Sequence, residues 1–337
     1  EQVRERLVRH GAVGAEVLRW AAVLSPRLDL GMLAQVSGID GADIDAAFDS
    51  AERHGMLRGG EHGLRFAHDL IARAIYTDIS PLRRQVMHRR VAEALEHDTA
   101  QDLARAADLA HHATLSADAA LAARALVAAG RLSLRFFANA DAAASARRGL
   151  QLAASLRDAE RVRVEIDLHD ILLAASPLQQ AVAHEYTALA ERALDHGALA
   201  HARLGYHMAA TVRWAMGHWG AAREQTLQAM RAVRGSRDEA QIVGMAETAK
   251  CLVMIERDIP QADAMLAEAS MLAERSGFSH HAIAAGLGML RFHANRLDEA
   301  AEFFFEARTL CKSAGDRVSE YQANEYLVMI DLQRGRL

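Results

Sequence analysis

Proline and aromatic residues are both scarce in this chain: 4 prolines in 337 residues, with Phe, Trp and Tyr together at 5%. Strands draw on β-branched and aromatic side chains, so an all-β fold or a large parallel-sheet enzyme is excluded. The two cysteines, Cys251 and Cys311, lie 60 residues apart, a count that supports neither a disulfide framework nor a four-ligand zinc site. Both are expected to be reduced core residues. Lysine occurs only at Lys250 and Lys312 and neither follows a glycine, so a phosphate-binding loop of the GxxxxGK type, closed by Ser or Thr, is absent. Apolar runs fall far short of the ~20 residues that span a bilayer, and no basic-then-apolar signal segment opens the chain. A cytoplasmic location is expected. The net charge of -5 gives no general attraction to nucleic acid or anionic membranes.

What the chain has in abundance is alanine, 71 residues, within 51% hydrophobic and 25% charged composition. Alanine is the best helix former, so the fold class expected is all-α. The length fits about two domains of ~150 residues. The first residue is Glu1 rather than methionine, and a piece of a longer polypeptide is expected.

Self-similarity dominates the C-terminal two thirds. A short turn recurs as Ala138-Asn139-Ala140-Asp141-Ala142-Ala143, Ser176-Pro177-Leu178-Gln179-Gln180-Ala181, Gly217-His218-Trp219-Gly220-Ala221-Ala222, Arg257-Asp258-Ile259-Pro260-Gln261-Ala262 and Asn295-Arg296-Leu297-Asp298-Glu299-Ala300, and begins again at Gly335-Arg336-Leu337. Its third position falls at 140, 178, 219, 259, 297 and 337, with spacings of 38, 41, 40, 38 and 40. Such a period marks pairs of antiparallel helices that bury their apolar faces by stacking into a solenoid. The small terminal alanine of each turn lets paired helices approach closely. Pro177 and Pro260 open second helices, where no amide donor is needed, and Gly235, Gly277 and Gly315 follow their ends as caps. The units resemble tetratricopeptide repeats, at a period of about 40 rather than 34. About five and a half of them fill 119–337, and because the chain stops inside a turn the native protein is expected to continue.

The first eighty residues follow another pattern. A helix from about Gly14 to Leu24 ends at Pro26, short helices follow over Met32 to Val36 and Asp40 to His54, and two extended arms flank the tip Gly59-Gly60-Glu61-His62-Gly63. Three helices and a hairpin make a winged helix-turn-helix over 1–80, with connecting helices over 81–118. Its third helix carries Asp40, Asp43, Asp45, Asp49 and Glu52 against Arg53, a net of -4 that phosphates would repel. A packing and regulatory module is therefore expected in place of a DNA reader.

The stretch Leu64-Arg65-Phe66-Ala67-His68-Asp69-Leu70-Ile71 through Ala74-Ile75-Tyr76, then Ser80-Pro81-Leu82-Arg83-Arg84, His88-Arg89-Arg90-Val91-Ala92-Glu93-Ala94-Leu95 and Leu109-Ala110-His111-His112-Ala113, resembles the regulatory core of large ATP-binding regulators of the LuxR type. These belong to the signal-transduction ATPases with numerous domains. The resemblance implies an ATP- or ADP-binding domain before this segment and a DNA-binding output domain after it, no cofactor in the fragment itself, and no enzyme activity of its own. It also implies that His68, at the end of the wing, contacts the β-phosphate of ADP bound to that nucleotide domain. The alternative for His68 is a helix cap shared with Asp69. The same core accompanies cyclase and kinase domains in other bacterial proteins, so a regulatory arm of such an enzyme, or a plain scaffold, are the rival readings. An inducer, a regulatory protein or a peptide is the expected occupant of the solenoid, with self-association of the whole protein to follow.

First helices of stacked repeats line the concave surface. Tyr206, Arg213, Trp214, Met245, Lys250, Met254, Arg291 and His293 are accordingly candidate groove residues, with ordinary inter-helix packing as the alternative for each. The basic run of Arg83, Arg84, His88, Arg89 and Arg90 spreads around a helix and reads as a solvated or domain-contacting face. The adjacent pairs His111-His112 and His280-His281 point about 100° apart on a helix, and His184-Glu185 lacks a following histidine. No metal site is expected, and no catalytic constellation is spaced along the chain.

Overall fold

The computed structural model describes residues 7, 9–26, 28–60, 63–99, 103–175 and 183–336. Among them lie seventeen α-helices and one two-stranded hairpin, an all-α fold. No helix is long and apolar enough to cross a membrane. The chain forms two compact units, Glu1–Ala128 and Ala129–Leu337, and the division falls inside a helix.

The first unit begins with α1 (Gly11–Leu24), α2 (Leu30–Ser37) and α3 (Gly41–Arg53). Helix α1 is buried almost all round through Val17, Leu18, Trp20, Ala21, Ala22 and Val23, because its neighbours pack on several sides. Both following helices start on aspartate caps: the Asp29 carboxylate accepts from the Met32 amide at 3.0 Å, and that of Asp40 from the Ala42 amide at 2.9 Å. The hairpin pairs β1 (Leu57–Gly60) with β2 (Gly63–Phe66) in antiparallel register, Leu57 opposite Phe66 and Gly60 opposite Gly63. This is the expected winged helix-turn-helix; the tip residues Glu61 and His62, and Arg27 before α2, lie outside the described residues. Asp43, Asp45, Asp49 and Glu52 are all exposed on α3, so the acidic face is real.

Four helices complete the unit or lead out of it: α4 (Asp69–Asp78), α5 (Pro81–Thr99), α6 (Ala106–Leu115) and the start of α7 (Ala119–Arg135). Most of the basic run on α5 is paired within the unit, while Arg90 is exposed. Arg83 pairs with Glu16, Arg89 with Glu93 at 2.8 Å and Asp118 at 3.4 Å, and Arg84 lies 4.9 Å over the Tyr76 ring. His88 is buried at 1% exposure and joins His112 of α6, Nδ1 to Nδ1 at 2.8 Å, while the Tyr76 hydroxyl lies 2.9 Å from its Nε2.

The second unit holds the repeats: α8 (Asn139–Ala153), α9 (Asp158–Ala175), α10 (Ala183–Asp195), α11 (Leu199–Ala215), α12 (Trp219–Val233), α13 (Glu239–Cys251), α14 (Ile259–Ser276), α15 (His281–His293), α16 (Leu297–Ala314) and α17 (Arg317–Gln333). Burial separates two kinds of helix. The second helices bury single stripes at three- and four-residue steps, Ala262, Leu266, Ala269 and Ala273 on α14, or Ala300, Phe304, Ala307 and Cys311 on α16. First helices are buried on most sides, as in the unbroken run Ile242 to Ala249. They form the inner layer and the second helices the outer one. Close approach is paid in side-chain size at Gly205, where a Cβ would stand 2.9 Å from that of Ala190 and 3.2 Å from its backbone.

The repeated turn has one hydrogen bond in common. The amides of Ala138, His218, Arg296 and Arg336 each donate to the carbonyl five residues earlier, at 2.8 to 2.9 Å, after one left-handed residue. Gly217 and Gly335 suit that conformation, yet Phe137, Arg257 and Asn295 adopt it too. In the fourth turn the bond spans six residues, Asp258 to Leu252, because a π-helical segment over Leu252–Glu256 inserts one residue. The expected turn at 176–181, with Pro177 and Ala181, lies outside the described residues, as does Leu337.

The unit also closes on itself. Arg135 at the end of α7 donates from Nε to the Ser313 carbonyl at 2.5 Å, and the Arg317 guanidinium lies 4.2 Å over the Phe137 ring. Gly315, at φ 77°, sits so near Arg135 and Leu134 that a Cβ would come within 3.1 Å of both. The first repeat and the turn into α17 thus form a seam.

Candidate functional site

Charged residues interrupt the apolar first helices, and the coil brings them together. Arg131 of α7 donates to Asp167 of α9 at 2.8 Å, with His201 of α11 3.7 Å from the other carboxylate oxygen. Arg203 of α11 donates to Glu247 of α13 at 2.7 Å, and His207 Nδ1 lies 3.1 Å from the second oxygen of the same carboxylate. Burial alone would raise the Glu247 carboxyl, but Arg203, then His207 and His280, hold it down to about 2. His281, the first residue of α15, places Nε2 3.1 Å from Asp316, the N-cap of α17, whose other oxygen accepts from the Ser319 amide at 3.0 Å.

Two ionisable groups in this cluster, Asp170 and Lys250, have no ion-pair or hydrogen-bond partner among the described residues. Asp170 of α9 is pushed up to about 7, first by burial, against the pull of Arg131 and with a further push from Asp316 and Asp167. Lys250 of α13 is lowered by burial, while Glu247, Asp316 and Cys311 oppose that shift. Asp170 therefore feels groups from α7, α11 and α17, and Lys250 feels groups from α16 and α17, and both are half-buried. His280 is driven down to about 3 by burial and by His281, and is neutral there.

Of the groove residues expected from sequence, only Lys250 joins this cluster. Tyr206 and Met245 are corrected to core positions, 5% and 3% exposed: Tyr206 packs with Ala190 and Ala229, and Met245 belongs to the cluster of Leu266 and Met289. The reason is the double coverage of first helices, which leaves most of their surface to neighbouring helices. Met254 lies half-buried in the π segment with Gln322 Nε2 3.9 Å from its sulfur. Arg291 pairs with Glu299 at 3.3 Å, and exposed His293 sets its ring edge-on to Phe292. Arg213 donates to Thr187 at 3.4 Å, and Trp214 leans on the exposed Trp219 with ring centres 6.1 Å apart. Sequence reasoning missed Asp170, Arg203, His207, Glu247, His281, Cys311 and Asp316. The available signal was an ionisable residue in the middle of an apolar first helix, Glu247 within Ile242 to Ala249 above all.

In the first unit, His68 stands at the N-cap of α4, but its imidazole makes no capping hydrogen bond. The ring is exposed. The capping alternative is thereby corrected.

The two units define a class: a winged helix-turn-helix joined to a coil of tetratricopeptide-like helix pairs. Comparison with solved structures agrees on the fold. Over 96% of its length the chain is similar, at TM-score 0.51 and 12% identity, to a signal transduction ATPase with numerous domains carrying a tetratricopeptide repeat sensor, from Pyrococcus horikoshii. It covers 54% of that structure, about half. The apo form of RapI aligns over 100% of both chains at TM-score 0.44 and 10% identity. No family model and no curated protein matches.

Proposed function

We propose that this chain is the regulatory and sensing arm of a nucleotide-dependent signal-transduction ATPase, in its finer form a LuxR-type transcriptional regulator, and that the interior of the coil receives an inducer or a partner segment. The observation that carries the reading is that Asp170 and Lys250, half-buried in a coil that closes on itself, have no ion-pair or hydrogen-bond partner among the described residues. An ionisable group drawn partly out of water without a partner costs stability, so a ligand that supplies a hydrogen bond or counter-charge to each would stabilise the coil. Binding to one state of the coil in preference to another would shift the balance between them. The exposed, uncapped His68 is available to a nucleotide phosphate on a domain outside this chain, and the acidic face of α3 suits a regulatory winged helix.

A thermal-shift screen of amino acids, short peptides and zwitterionic metabolites tests the interior. A ligand of this site raises the melting temperature of the parent protein. It loses that effect on Asp170→Asn and on Lys250→Met. Equal stabilisation of parent and variants would place the ligand elsewhere and defeat the reading. For the nucleotide limb, ADP affinity of the full-length protein is compared with that of His68→Ala; equal affinities remove His68 from the switch.

A further inference from the structure

Three potential metal ligands of different chemistry meet at the seam. They come from the ends of three helices: His281 opens α15, Cys311 lies in the last turn of α16, and Asp316 caps α17. A nitrogen, a sulfur and a carboxylate oxygen from these residues all lie within 4.8 Å of one another. The Cys311 residue is 1% exposed, and the side chains of His281 and Asp316 are 12% and 31% exposed.

The spacing within the set already suits a shared ion. His281 turns Nε2 to Asp316 at 3.1 Å, about the separation of two ligand atoms that each stand ~2 Å from one metal ion. The Asp316 carboxylate is already fixed in orientation by its bond from the Ser319 amide, the kind of outer support that metal ligands need.

We propose that His281, Cys311 and Asp316 form a binding site for a zinc-class divalent ion, with three protein ligands and one open position. Thiolate with imidazole suits zinc or cobalt, whereas calcium and magnesium demand oxygen donors. The thiolate and the carboxylate together balance the dication, and Lys250 nearby weakens the site without occupying it. Burial, with Asp316 and Glu320, pushes the metal-free Cys311 thiol up to about 12, so ion binding releases its proton.

The location gives the site a structural consequence. Cys311 and Asp316 bracket the turn that contributes the Ser313 carbonyl and Gly315 to the seam. An ion held by both pins that turn where it meets Arg135.

The test uses the whole chain, treated with chelator and titrated with Co2+. One equivalent is expected to give a thiolate-to-cobalt absorption band and the intense visible bands of tetrahedral cobalt, both removed by Zn2+. Cys311→Ser should abolish the thiolate band, Asp316→Asn, which keeps the cap, should weaken cobalt binding at least tenfold, and Cys251→Ser should change neither. Zn2+ should raise the melting temperature of the parent and not that of His281→Ala. Absence of a thiolate band in the folded parent, or its persistence in Cys311→Ser, overturns the proposal. If Cys311→Ser fails to fold, undiminished binding in Asp316→Asn and His281→Ala does so equally.

Discussion

Acid should unfold the first unit through a single pair of side chains. His88 and His112 share a proton between their Nδ1 atoms at 2.8 Å, with Tyr76 on the far nitrogen of His88. Charging the ring that accepts, or both rings, would set two N–H groups against each other. Burial first, then His111 and Arg84, lowers His88 to about 4; burial, then His88 and His111, lowers His112 to about 3. Both folded values lie below the ordinary 6.5, so the unfolded chain takes up protons first, and the stability present above pH 6.5 is lost as pH falls. Each pH unit below 6.5 costs about 1.4 kcal/mol per histidine until its folded value is reached. At pH 5 that is about 2 kcal/mol for each and about 4 kcal/mol for the pair. The assay is denaturant unfolding at pH 7.5 and pH 5, followed by fluorescence of Trp20, which is 3% exposed in this unit, after Trp214 and Trp219 are replaced by phenylalanine. His88→Gln keeps a donor and an acceptor in place but cannot charge. Its loss between the two pH values should shrink to about 2 kcal/mol. A variant that loses as much as its parent would refute the assignment.

Four further outcomes follow from the coil. Gly205→Ala should destabilise by about 1 to 3 kcal/mol in denaturant melts despite alanine's better helix propensity, because the new Cβ meets the Ala190 backbone. Phe304→Ala, at a side chain that is 0% exposed and stacked 4.6 Å from Tyr326, should cost about 3 to 5 kcal/mol. Glu247→Gln should cost about 3 kcal/mol at pH 7, since the carboxyl titrates near 4.5 unfolded and about 2 folded; the gap between parent and variant should close as pH falls from 4.5 toward 2 in the same melts. Gly315→Ala should part the seam, through a strained φ of 77° and contact with Arg135, and small-angle scattering should report a larger radius of gyration.

Much of this fold was legible because it is written in local rules. The turns at 138–143, 217–222, 257–262 and 295–300 bound helices to within a few residues, and the helices expected over Met32 to Val36 and Asp40 to His54 stand as α2 and α3. The interior was less legible because it depends on distance. Asp316 meets His281 across 35 residues, and Arg135 meets Ser313 across 178, separations that no helical period encodes. Tyr206 and Met245 were misplaced for a related reason: a period shows which face of a helix is apolar, but not that neighbours cover the remaining faces as well. The π segment at Leu252–Glu256 is equally silent in sequence, since its extra residue hides within ordinary variation of the repeat length.

The seam changes how such an array can loosen. Open stacks fray from their ends, each unit leaning only on the next. Here the first and last pairs described also lean on each other, so neither can peel away without breaking Arg135 from Ser313 and lifting Phe137 off Arg317. Fluctuations that would be local in a ribbon become shared by the whole loop. A guest bound inside would then leave at the rate at which the clasp opens, and slow release would be a property of the frame instead of the contacts the guest makes.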